Sequence, residues 1–81
     1  MSAEHLVTMA NDIANFFHAE PDNAAAVEGV CNHIRKFWEP RMRRKIVAYL
    51  RESNGHELSE LARAAVEKLA DTDPAQAPQT V

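Results

Sequence analysis

The side chains best equipped for recognition chemistry lie in one run, Ile34-Arg35-Lys36-Phe37-Trp38-Glu39-Pro40-Arg41-Met42-Arg43-Arg44-Lys45-Ile46. Seven of the nine Lys/Arg fall between residues 35 and 51, with Glu39 the one acid among them, so that stretch carries +6 against −9 elsewhere. Guanidinium groups are forked donors that match carboxylates and phosphates in two-point contacts. The only tryptophan sits among them, and Trp and Arg together are enriched at the energetic centres of interfaces. Phe37, Trp38, Arg41, Arg43 and Arg44 are therefore the candidate partner-binding residues. The competing role for the two aromatics is core filling, because both fall on the apolar arc of their helix. The competing role for the arginines is a solvated charged face. Cations in the first turn of a helix oppose its dipole by about a few tenths of a kcal/mol each, so stability alone does not select three of them there. A helix N-terminus flanked by arginines also suits an anion such as a phosphate.

The remaining reactive side chains point away from catalysis. Cys31 lies between Val27 and Ile34 on an apolar stripe, where a thiol is an inert core residue. His5, His18, His33 and His56 are far apart in sequence, and none pairs with a Cys, His or acid at ligand spacing. The chain has no phosphate-binding glycine loop, no nucleophile elbow and no carboxylate pair in an apolar setting. A single cysteine closes no internal disulfide, and with no signal-peptide pattern it points to a reducing cytoplasm. No apolar run approaches the roughly 20 residues of a membrane span.

Eighty-one residues allow one domain with a small core. Such a chain gains stability when docked on a partner. Apolar residues recur at three- and four-residue spacing almost throughout, which predicts an all-α fold. The first helix is expected over 3–19, with Leu6, Met9, Ala10, Ile13, Phe16 and Phe17 inward, Ser2 as cap and Pro21 as stop. The second is expected over 22–38, with Val27, Val30, Cys31, Ile34, Phe37 and Trp38 inward. Gly29 falls on its outer face, where it costs up to about 1 kcal/mol unless something approaches closely.

Pro40 ends that helix and opens the third, which runs to Ser53 with Met42, Ile46, Tyr49 and Leu50 inward. Gly55 is available for a left-handed cap. The fourth is expected over 59–70, capped by Ser59 and lined by Leu61, Ala62, Ala65 and Leu69, with Leu58 just ahead of it. Its alanines suggest loose attachment. The whole reads as a compact bundle of four short helices over 1–70, followed by a disordered polar tail over 71–81. A basic third helix also admits a small DNA-binding regulator as an alternative. The acidic remainder and the preference for Arg over Lys argue against a broad phosphate footprint.

The order Leu6-Val7-x-Met9-Ala10-Asn11-x-Ile13-Ala14-x-Phe16-Phe17, then Pro21, Ala26-Val27-x-Gly29-Val30 and His33-Ile34-Arg35-x-Phe37-Trp38-x-Pro40-Arg41-Met42-Arg43, resembles a known family. It is similar to the delta subunit of the soluble NAD-dependent, molybdenum-containing formate dehydrogenases, over about residues 5–69. The specific part is Phe37-Trp38-x-Pro40-Arg41-Met42-Arg43. The resemblance implies a non-catalytic accessory subunit that docks on catalytic and diaphorase subunits and supports assembly, stability or maturation of the molybdenum site. It places molybdopterin guanine dinucleotide, iron–sulfur clusters, FMN and NAD on those partners and none on this chain. An apolar stripe left uncovered without its partner would favour self-association.

Overall fold

The structure is a computed structural model that describes residues 2–77. It contains four α-helices, α1 (Ala3–Phe17), α2 (Asn23–Phe37), α3 (Pro40–Ser53) and α4 (Glu60–Thr72), then a 3-10 turn over Pro74–Gln76. No strand occurs among the described residues, so the all-α expectation holds. Each start has a physical cause. Ser2, Asp22 and Ser59 accept backbone N–H bonds into the first turns of α1, α2 and α4. Pro40 opens α3 at N1, behind a Glu39 that makes no side-chain cap bond. At the end of α3 both Asn54 (φ 61°) and Gly55 (φ 62°) are left-handed, which turns the chain sharply towards α4. A side chain at residue 55 would also press on Leu50 and Leu58.

The core is built from Leu6, Val7, Ala10 and Ala14 of α1, Val30, Cys31, Ile34 and Trp38 of α2 and its cap, Ile46 and Val47 of α3, and Ala62, Ala65, Val66 and Leu69 of α4. Five positions differ from the sequence reading. Val7, Ala14, Val47 and Val66 are inside, whereas Phe16 is 80% exposed. The inward face of α1 is thus rotated towards its alanines, because small side chains let neighbouring helices approach closely.

The expected loose attachment of α4 is also corrected. This helix packs on α1, α2 and α3, and its Ala62 and Ala65 are fully buried. Finally, order extends further than expected. α4 runs to Thr72, and Asp73 caps the 3-10 turn through Ala75 N–H. Residues 78–81, part of the tail expected to be disordered, lie outside the described residues.

Candidate functional site

The five candidate partner-binding residues are distributed over three environments. Arg43 turns inward. Its Nε donates to Asp73 Oδ2 at 2.8 Å, and its Nη1 donates to the carbonyls of Trp38 (2.7 Å) and Arg35 (3.2 Å). These are carbonyls of the C-terminal turn of α2, which otherwise lack helical partners, and the negative end of that dipole favours a cation. Arg43 stands in the first turns of α3 but serves the end of α2. Arg43 is thus committed to internal bonds, and stability does select this arginine.

Trp38 takes up the core-filling role weighed for it. At 4% exposure it is a core residue, drawn in as the chain turns from α2 to α3 and held there by Arg43.

Asp73 completes this clasp. Its side chain is fully buried, and it also accepts from Gln76 Nε2 (3.1 Å) and from Ala75 N–H (3.2 Å). Burial pushes its carboxyl up. The bonds from Arg43, Gln76 and Ala75, with the Arg43 charge, outweigh burial and hold it below its ordinary value. The sequence reading placed Asp73 in a disordered tail. The signal available was Asp73-Pro74, a cap residue followed by proline.

Arg35, another of the seven clustered cations, also points inward. It donates to Thr72 Oγ1 at 2.7 Å and approaches Cys31 Sγ at 3.6 Å. Its Nε is buried without a hydrogen-bond partner.

Arg41 and Arg44 are exposed. They lie three residues apart on one side of α3, with Lys45 completing the same stripe. Arg41 and Lys45 border a groove of about 260 Å³ floored by Leu6 and Met42. Phe37 is 71% exposed. It leaves the core arc expected for it and stacks on His33, with ring centroids 4.7 Å apart and planes tilted by 41°.

The chemistry on offer is therefore recognition by exposed guanidinium and aromatic groups. Among the described residues no three His, Cys, Asp or Glu side chains converge as a metal-ligand set. Cys31 is fully buried. Another ion pair joins Lys68 to Glu28 across α2 and α4, and the Lys68 hydrogen bond lowers the Glu28 carboxyl from its ordinary value. No helix among them is long and apolar enough to cross a membrane.

Comparison with known proteins adds one match. A family model described as the NADH-dependent formate dehydrogenase delta subunit FdsD covers residues 5–66. No curated protein and no solved structure matches the chain.

Proposed function

This chain belongs to the NADH-dependent formate dehydrogenase delta subunit family FdsD, and from that membership we propose that it is a non-catalytic accessory subunit of such an enzyme. It docks in the cytoplasm on the catalytic and diaphorase subunits. There it supports assembly or stability and aids maturation of the molybdenum site. The family match over residues 5–66 carries this reading. The donor set of the chain agrees with it, since an iron–sulfur cluster needs several thiolates and the single cysteine here is buried. Molybdopterin guanine dinucleotide, iron–sulfur clusters, FMN and the NAD site then belong to the partner subunits.

Within the basic corner, Arg41, Arg44 and Phe37 supply the contact, because these three of the five candidates are exposed. The DNA-binding alternative has less support, since Arg35 and Arg43 are committed to internal bonds and the basic surface shrinks accordingly. The test is the double substitution Arg41→Glu with Arg44→Glu in the intact complex. Co-purification with the larger subunits should fall well below stoichiometry. Retention at the wild-type ratio places the contact elsewhere.

A further inference from the structure

Phe16 and Phe37 are the two large hydrophobic side chains that stand exposed among the described residues, at 80% and 71%. They belong to one surface, made by the outer sides of α1 and α2. Phe16 lies edge-on to Phe17, with centroids 5.2 Å apart and planes at 84°. The Phe17 ring in turn lies over Gly29, so close that a Cβ there would stand 2.6 Å from it. Ile13, Phe16, Phe17 and His33, with Asp12 at the edge, line a cleft of about 310 Å³. His33 carries the surface on to Phe37 through their stacked rings. The result is a continuous aromatic ridge and cleft in which Ile13 and Phe17 pack against the core while the outer rings, Phe16 and Phe37, do not. Exposed Lys36 lies one helical turn from His33 on the same side of α2, and α3 with Arg41 and Arg44 begins three residues after Phe37.

From this geometry we infer that the Phe16–His33–Phe37 surface is a docking face for one of the larger subunits, which presents an apolar ridge flanked by a carboxylate for Lys36. This inference rests on the accessory-subunit reading and extends the contact from the basic corner onto α1. Area argues against a second copy of the chain as the occupant. Two phenylalanine rings exposed to this extent offer roughly 300 Å², whereas a stable interface buries about 800 Å² per partner. The patch is too small to hold a homodimer and large enough to be the apolar centre of a composite interface whose rim is the basic corner. Aromatic side chains are enriched at such centres, and charged groups are sorted to the rim.

The experiment compares wild type with Phe16→Ser/Phe37→Ser, each co-expressed with the larger subunits, with Arg41 and Arg44 left intact. Both rings are exposed, so the helical circular-dichroism signal of the isolated double variant should match wild type. The expected result is at least a tenfold loss of the co-purified fraction. Wild-type recovery of the double variant overturns the docking face while leaving the accessory-subunit reading in place. Failure of wild type itself to co-purify overturns both. A wild-type dimer in gel filtration that the double variant abolishes assigns the face to a second copy and also overturns the inference. A further variant, Glu67→Ser on the exposed side of α4, should co-purify as wild type does, and an equal loss with it would overturn the assignment of the contact to the aromatic face.

Discussion

Arg43 and Asp73 form the bond whose loss should be felt most at the level of single residues. One partner is a fully buried carboxylate, and the other keeps only 13% of its side chain exposed. Asp73→Asn keeps the shape and removes the charge, so it should cost about 2 kcal/mol at neutral pH, measured by urea denaturation. The sign of the pH dependence follows from the lowered carboxyl of Asp73. Its stabilisation is complete above the unfolded-state value of about 3.9 and is lost as pH falls through the lower folded-state value. The gap between wild type and Asp73→Asn should therefore narrow as pH drops below about 4. Gly29 shows how a residue that looks costly becomes intelligible. On an outer helical face it lowers helix stability, but the Phe17 ring occupies the space where a side chain would stand. The same contact stations Phe17 beneath Phe16, so the glycine helps to shape the docking face.

Among the elements, the start of α4 and the loop before it are tied to α1 by one side chain. Asn11 Nδ2 donates to the Glu57 carbonyl at 3.0 Å, and Asn11 Oδ1 accepts from Ser59 N–H at 2.8 Å. These bonds bridge α1 to the α3–α4 connection just where Ser59 caps α4. Asn11→Ala should lower stability by about 1 kcal/mol, because water replaces bonds that are solvent-accessible. Amide exchange around residues 57–62 should quicken while α2 stays protected. The two bonds also explain why an alanine-rich helix is held firmly. Alanines 62 and 65 carry little apolar area but allow close approach to the neighbouring helices, and polar ties at both ends of α4 set its position. Nothing local in the sequence points Asn11 to a partner 46 positions away.

Across the whole molecule the +6 segment and the −9 remainder set how the chain meets a partner. Two of the clustered cations are used internally, and Lys36, Arg41 and Arg44 remain exposed at one end of the bundle. Exposed charges chiefly accelerate encounter and are screened by salt. Association with the larger subunits should therefore slow as sodium chloride is raised from about 50 to 500 mM, with a smaller effect on dissociation, as read by surface-based kinetics. A face centred on Phe16 and Phe37 should leave a residual, salt-insensitive component, because apolar burial is not screened. The Phe16→Ser/Phe37→Ser variant should lose that component, and Arg41→Glu/Arg44→Glu should lose the salt-sensitive one.

Periodicity and local start signals determined that the chain is all-α, that it has four helices, and that Ser2, Pro40 and Ser59 start three of them, whereas Asp22 rather than Asn23 as the cap of α2 came from the structure. These features were readable because capping, proline and the 3.6-residue repeat act within a few residues. The pattern Phe37-Trp38-x-Pro40-Arg41-Met42-Arg43 was likewise enough to suggest the family to which residues 5–66 belong. Tertiary structure decided which side of each helix is inside and which charges are free. An apolar arc containing both Phe16 and Phe17 does not say which ring packs on a neighbouring helix; the approach of α2 at Gly29 does. Adjacent Arg43 and Arg44 look equivalent along the chain. The α2–α3 turn aims one at the open carbonyls of α2 and at Asp73, and leaves the other in solvent. Asp73 is 30 residues from its partner, and pairing over such a distance is settled only when packing brings the two ends together and excludes water from between them.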